Sequence, residues 1–357
     1  MGEKYRSTRS FRAAVLFKSG SQLEIIDLEM PPPDKGQVLV RIAYAGICKS
    51  QLMEIDGLRG FDPYLPHLLG HEASGVVEEI GQGVSKVKPG DHVVISWIRG
   101  SGMNVSGPLL ATQSSVINAG QVTTFSELAM VSENCTFRIS KGVPLKIAAL
   151  FGCAIPTGAG MALKEIPEDL TKSNVAVFGL GGVGMSALHS LSTKKPKTLT
   201  ALDFDSKKLN MVRDLGVAQI VNTSDADYKR TIQRITDGNG FDFAIDATGS
   251  VVGIMQAFES IRKFGGLCIF ASHPSFGEKL SIDPFDLISG KQIRGSWGGG
   301  IDLDKDLDLL LELFMANSSI MKILASEVFL LDEINNAILE FRQGRTVRPI
   351  VSMKTFA

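Results

Sequence analysis

Two patterns of apolar residues divide the chain. In the first 131 residues, apolar and polar positions alternate in short runs: Phe11 to Phe17, Leu23 to Leu28, Gln37 to Ala45, Ala73 to Ile80, His92 to Trp97 and Phe125 to Val131. Alternation predicts half-buried strands, and the clusters Pro31-Pro32-Pro33, Gly81-Gln82-Gly83 and Lys88-Pro89-Gly90-Asp91 predict the turns between them. Residues 62–70 read as loop. Arg99 to Thr123 has no clear period and reads as a long surface excursion. Residues 144–154 and 156–165 read as helical.

From Val175 onward the apolar residues come instead as short solid runs, at 175–178, 198–202, 219–221, 242–246, 267–271 and 292–297. Helical stretches fill 184–193, 206–215, 226–237 and 251–263. Solid runs predict strands buried on both faces, and their alternation with helices predicts a doubly wound parallel sheet of six strands. After Trp297 the pattern breaks. Leu303 to Met315 reads as helix, Ile323 to Leu330 as strand, Leu331 to Gln343 as helix and Val347 to Met353 as a last strand.

The stretch Asn174 to Ser190, NVAVFGLGGVGMSALHS, joins the first of those strands to its helix. Gly179-Leu180-Gly181-Gly182-Val183-Gly184 is G-x-G-x-x-G in that position. Gly179 permits a tight turn, Gly181 lets backbone approach a pyrophosphate, and Gly184 lets helix pack on strand. Phosphates would meet free N–H groups and the positive end of the helix dipole. The next strand ends in Asp203, 19 residues after Gly184. A carboxylate there accepts from ribose hydroxyls and repels a 2′-phosphate, which favours NAD over NADP.

Composition removes other classes. Hydrophobic residues are 44 %, charged residues 21 %, and the formal net charge is −1. With no basic block, nothing points to nucleic acid or to an anionic membrane. Lys4, Arg6, Arg9 and Arg12 precede an apolar run too short for a signal peptide. Met1-Gly2 lacks the Ser or Thr that myristoylation needs, because Arg6 stands there. No apolar stretch is long enough to span a bilayer. Cys48, Cys135, Cys153 and Cys268 are too scattered for a disulfide scaffold, which fits a reducing cytoplasm.

Cys48 after a strand, His71-Glu72 opening another, and Cys153 before the nucleotide region form an unusual set. Two thiolates and an imidazole would balance a zinc ion and leave a fourth position open. The residues alone do not assemble this trio: their separations are long, and a lone Cys in apolar sequence is usually core.

Six motifs carry a resemblance. They are G-I-C-K-S at Gly46 to Ser50, G-H-E at Gly70 to Glu72, G-Q-G-V at Gly81 to Val84, P-G-D-H-V from Pro89, G-C-A-I-P-T-G from Gly152 and G-L-G-G-V-G from Gly179. Together they resemble the zinc-dependent alcohol dehydrogenases of the medium-chain dehydrogenase/reductase superfamily over almost the whole chain. The resemblance implies an α/β protein. A GroES-like β-rich catalytic domain would cover 1–154 and 298–357, and a Rossmann NAD-binding domain 155–297. It implies Cys48, His71 and Cys153 as ligands of one catalytic zinc, with Glu72 beside the metal. Ser50 would bond the substrate oxygen and receive its proton, hydride would pass to NAD, and Trp97 would wall the substrate pocket. Thr157, Asp203, Lys208 and Arg348 would contact the cofactor beside Gly179, Gly181, Gly182, Val183 and Gly184, and the enzyme would be a cytoplasmic homodimer.

The chain departs from that pattern in two places. Ile98-Arg99-Gly100-Ser101-Gly102-Met103 holds none of the cysteines of the family's second, structural zinc, so one zinc per chain is expected. Gln51 and Met53 stand where the family often has Asp and His, and Met cannot relay a proton. His273, in the loop after the fifth parallel strand, lies at a sheet edge where cofactor sites form; it reads as a surface-loop residue, with a place in the proton relay as the alternative. His67, His92 and His189, like Cys135 and Cys268, read as structural. The alternatives to an alcohol dehydrogenase are a polyol or sugar dehydrogenase on the same scaffold and a non-catalytic NAD-binding protein.

Overall fold

The computed structural model describes residues 8–113, 115–215 and 217–353; Gly2, Lys4 and Arg6, considered above, lie outside them. The chain divides into two units. One runs to Cys153 and takes up Asp302–Leu311 and the chain from Ala325 onward; the other holds Ala154–Ile301 and Glu312–Leu324.

The first unit is built on the strand Gln37–Gly46, in which only Arg41 and Tyr44 are not fully buried. Its alternate residues feed two cores. Val38, Val40 and Ile42 join the larger cluster, and Leu39 joins a second with Phe11, Ala13 and Val15. One edge pairs antiparallel with Glu72–Ile80. The other edge is shared by Leu128–Ser132 along Gln37–Arg41 and by Ile350–Ser352 along Tyr44–Gly46. The strands His92–Ser96, Thr136–Ile139 and Val328–Leu330 complete this sheet.

Arg9–Leu16 and Glu24–Met30 belong to a separate five-stranded sheet. The excursion 99–123 supplies two of its strands, Leu109–Ala111 and Val116–Asn118, as a hairpin. The predicted loop 62–70 supplies a third, His67–Leu68. Strands of two or three residues are too short to show a period. Residues 99–105 are tied down by a carboxylate: Glu133 accepts from the backbone N–H of Ser85, Lys86 and Met103 at 2.7, 2.9 and 2.8 Å.

The second unit holds a parallel sheet of six strands. They lie side by side as Gln219–Asn222, Thr198–Asp203, Asn174–Phe178, Phe243–Asp246, Leu267–Phe270 and Gln292–Gly295. In chain order that is 3-2-1-4-5-6, the Rossmann arrangement, in which ligands bind where the order reverses. Asn174–Phe178 sits at the reversal with all five residues buried. The last strand stops at Gly295 rather than Trp297, and a short 3-10 turn follows at Gly298–Gly300.

Residues 312–324 group with the nucleotide unit rather than with the β-rich one. Phe314 packs edge-on against His189 with ring centroids 4.9 Å apart. His189 is half-buried, and the loss of solvent holds its pKa below the usual histidine range. The predicted strand Ile323–Leu330 is split between the helix Ser318–Leu324 and the strand Val328–Leu330.

Candidate active site

Strand pairing in the first unit brings Cys48 and His71 together. Ala45 lies opposite Ala73, so the chain leaving one strand toward Cys48 runs beside the chain entering the other from His71. Cys153 arrives from the 3-10 turn Ala149–Gly152, which lies on the same strand. Ser96 Oγ donates to the Gly152 carbonyl at 2.6 Å, and any side chain on Gly152 would strike Glu72. The ligand atoms of Cys48, His71 and Cys153 all lie within 4.8 Å of one another. His71 Nε2 is 3.2 Å from Cys153 Sγ. Two sulfurs at ~2.3 Å from zinc and a nitrogen at ~2.0 Å stand less than about 4 Å apart in a tetrahedral site, so the trio fits that ion.

The electrostatics suit a cation. A hydrogen bond from Cys153, the charge of Arg348 and His71 hold the Cys48 thiol well below its usual range, against burial. The same bond and burial push Cys153 well above it. A bound divalent ion would be held by both sulfurs as thiolates. Glu72, fully buried, is raised by burial against the opposing charge of Arg348. Arg348 Nε donates to Glu72 Oε1 at 2.6 Å. Burial works against the charge on Arg348, but Cys48, Glu72 and Cys153 outweigh it and raise its pKa well above the usual value. A buried ion pair of this kind leaves a costly lone charge if either partner is removed.

The hydroxyl of Ser50 is buried without a hydrogen-bond partner. Such groups are rare, and one beside a metal centre marks a place where a ligand atom is expected. Trp97 meets the His71 ring edge-on at 6.4 Å between centroids. The short helix Lys49–Ile55, not expected from the sequence, carries Ser50 and Gln51. Gln51 is buried; its Oε1 accepts from the Cys48 N–H at 2.8 Å and its Nε2 contacts His71 Nδ1. The Cys48-x-x-Gln51 spacing resembles a helix capping box, a local signal for Gln51 beside its departure from the family pattern.

A cleft of about 820 Å³ in the first unit reaches inward to Gln51 and His71. Phe61, Tyr64 and Leu109 line it as exposed apolar side chains. Its one arginine, Arg59, is ion-paired to Glu54, and Asp62 faces His67 Nε2 at 2.8 Å. His67, read as structural, thus has a carboxylate on one ring nitrogen and the Leu68 carbonyl on the other. His273 is exposed in the loop beyond Leu267–Phe270.

In the second unit the glycine loop has the geometry its sequence predicts. Gly179 has φ +85°, a side chain on Gly184 would lie 1.8 Å from the Gly179 carbonyl, and one on Gly181 would meet nothing within 4 Å. Gly179 and Gly184 are therefore obligatory for the turn and the packing, while Gly181 faces open space at the start of the helix Gly182–Thr193. Asp203 Oδ2 accepts from Leu180 N–H at 2.7 Å and Oδ1 from Asp205 N–H at 2.9 Å. This fixes the second strand's carboxylate beside the loop. Lys208 lies half-buried on the helix Ser206–Asp214. Thr157 Oγ1, on the helix Ala154–Lys164, is buried without a partner.

A thiolate-imidazole metal centre and a dinucleotide loop in a Rossmann sheet define a metal- and nicotinamide-dependent oxidoreductase. Residues 34–141 match the alcohol dehydrogenase GroES-like domain, and residues 182–314 match the zinc-binding dehydrogenase domain. The chain is 30 % identical to S-(hydroxymethyl)glutathione dehydrogenase of Escherichia coli, over 95 % of its own length and 99 % of that protein's. Its fold is similar to benzyl alcohol dehydrogenase from Acinetobacter calcoaceticus, with TM-score 0.86, 28 % identity and coverage of 97 % and 99 %. It is also similar to an alcohol dehydrogenase zinc-binding domain protein from Burkholderia ambifaria, with TM-score 0.85, 27 % identity and the same coverage. The chain belongs to the zinc-dependent alcohol dehydrogenase family of the medium-chain dehydrogenases/reductases. It is an oxidoreductase of alcohol and carbonyl compounds, with zinc and NAD as cofactors.

Proposed function

We propose that the enzyme oxidises bulky, uncharged alcohols to aldehydes or ketones at the Cys48, His71, Cys153 centre. The observation that carries this reading is the cleft of about 820 Å³ that reaches His71. Sites for drug-sized ligands run to roughly 300–1,000 Å³. The apolar side chains of Phe61, Tyr64 and Leu109 would gain cover from an apolar substrate. A charged substrate finds no unpaired arginine, since Arg59 already faces Glu54. The likeness to a benzyl alcohol dehydrogenase agrees with this reading. The relatives named for a glutathione adduct act on a charged molecule, for which this cleft is less suited.

Zinc, when bound, supplies the positive charge that makes an alcohol proton acidic, and NAD accepts the hydride. The protein's part is positional. Ser50, whose hydroxyl is unpartnered, would accept the alcohol proton and hand its own on toward the nicotinamide ribose, Trp97 walls the substrate, and Glu72 with Arg348 sets the charge beneath the ligands. Gly179, Gly181, Gly182, Val183 and Gly184 receive the pyrophosphate, with Arg348 as a further contact. Asp203 and Lys208 hold the adenosine ribose, and Thr157 meets the nicotinamide. On this reading the first unit is the catalytic domain and the second the NAD domain. We further read the enzyme as a cytoplasmic homodimer; its four cysteines are all free thiols, which suits a reducing compartment.

The test is kcat/KM with NAD for ethanol, hexan-1-ol, benzyl alcohol, sorbitol and S-(hydroxymethyl)glutathione. At ~0.8 kcal/mol per buried methylene, hexan-1-ol should exceed ethanol by at least about tenfold. Preference for sorbitol or the glutathione adduct would overturn the substrate class. No turnover of any alcohol by zinc-loaded protein would overturn the assignment of the catalytic centre.

A further inference from the structure

Gln51 contacts two of the three zinc ligands at once. Its carboxamide has one accepting end and one donating end, and their orientation is set by chemistry. The Cys48 N–H, 2.8 Å away, can only donate, so it must face Oε1. That leaves the NH₂ group against His71 Nδ1. The amide itself is almost fully buried.

An NH₂ donor facing Nδ1 requires a lone pair there, which places the ring proton on Nε2. Nε2 is also the nitrogen that points at Cys153 Sγ. A neutral imidazole that binds metal through Nε2 carries its proton on Nδ1, and that N–H ordinarily donates to a carboxylate or carbonyl oxygen. Here it would meet a second donor. Rotating the amide by half a turn only moves the conflict, because NH₂ then faces the Cys48 N–H. Either way one buried donor stays unpaired when His71 ligates zinc.

We propose that Gln51 is a positioning residue that weakens the hold on zinc, by stabilising the His71 tautomer that cannot bind it. A carboxylate of the same length would accept from both Cys48 and His71 and remove the conflict. The inference rests on the zinc-ligand assignment of His71, and it concerns metal retention rather than substrate.

The experiment measures zinc affinity of the full-length protein by competition with a chromophoric chelator. Gln51→Glu should bind zinc roughly 10- to 100-fold more tightly than wild type, the range typical of outer-shell partners of metal-bound histidine. Equal or weaker binding by a folded Gln51→Glu would overturn the proposal. A second measurement needs no variant. Histidine ¹⁵N NMR on the chelator-treated wild type should show His71 with its proton on Nε2, moving to Nδ1 on zinc addition. A residue with only a packing role would not dictate that tautomer, so a proton on Nδ1 before zinc is added would also overturn it.

Discussion

Gly46 carries no side chain because Glu72 occupies the space: a Cβ there would stand 2.1 Å from the carboxylate oxygen. The first glycine of G-I-C-K-S is thus a steric condition for the ion pair with Arg348, two residues ahead of the ligand Cys48. Motif matching picks out Gly46 and Glu72 separately, and only their pairing across the strands explains both. Arg348 illustrates the same limit. The resemblance assigns it to the cofactor, and the fold also sets it against Glu72, 276 residues away in the chain. Ser50 is the residue whose role is most directly testable. Its hydroxyl is buried and unpartnered, whereas His273 is exposed. Ser50→Ala should therefore lower kcat by about 100-fold or more with zinc content unchanged, as expected for loss of a proton acceptor. His273→Ala should leave kcat within about twofold. Steady-state kinetics with metal analysis of both variants decides this, and equal losses would move the proton route to the loop.

Solid apolar runs could be read even at four residues, as in Phe243–Asp246 and Leu267–Phe270, while some short elements without such a run could not. The strand Asn174–Phe178 and the helix Gly182–Thr193 differ from expectation by two residues at most. The helix Lys49–Ile55 escaped because seven residues give only two turns of pattern. The hairpin in 99–123 escaped because its strands have three residues each. What organises the start of that excursion is Glu133, a buried carboxylate remote in sequence. Burial pushes its pKa up, but the N–H groups of Met103, Ser85 and Lys86 pull it further down, to a net value below the ordinary range. The sign follows. A depressed folded pKa contributes stability that is complete above the unfolded carboxylate value of ~4.3 and is lost as pH falls through the lower folded value. Glu133→Gln presents an NH₂ to one of these donors and should destabilise by about 2 kcal/mol at neutral pH. Denaturant unfolding at pH 7 and in acid would check it, since the gap between wild type and variant should narrow below the folded pKa. A pH-independent gap would mean that the carboxylate's charge is not what holds this segment.

At the scale of the molecule, the edge of the parallel sheet is unfinished. Among the described residues, Gln292–Gly295 pairs on one side only, with Leu267–Phe270, and most of its residues are exposed. Trp297, Phe276, Phe285 and Ile288, all in the same unit and within about 20 residues of that strand, are also exposed. An open strand with apolar neighbours is a surface for pairing, which supports the proposed homodimer. Sedimentation equilibrium should give twice the 38.4 kDa chain mass, and Phe285→Asp with Ile288→Asp should shift it to monomer. A wild-type monomer at micromolar concentration would remove the dimer from the proposal. The sequence by itself determined the two textures, the six parallel strands, the glycine loop and the charge class, because each is written in neighbouring residues. It also held the zinc trio, but only through a resemblance, since spacings of 23 and 82 residues carry no local conformational signal. The tertiary structure alone decided that Cys48, His71 and Cys153 converge, that Arg348 answers Glu72 and that Gln51 bridges two ligands. Those facts depend on which strands pair and in what register, and that is settled by burial of the whole core rather than by any one segment.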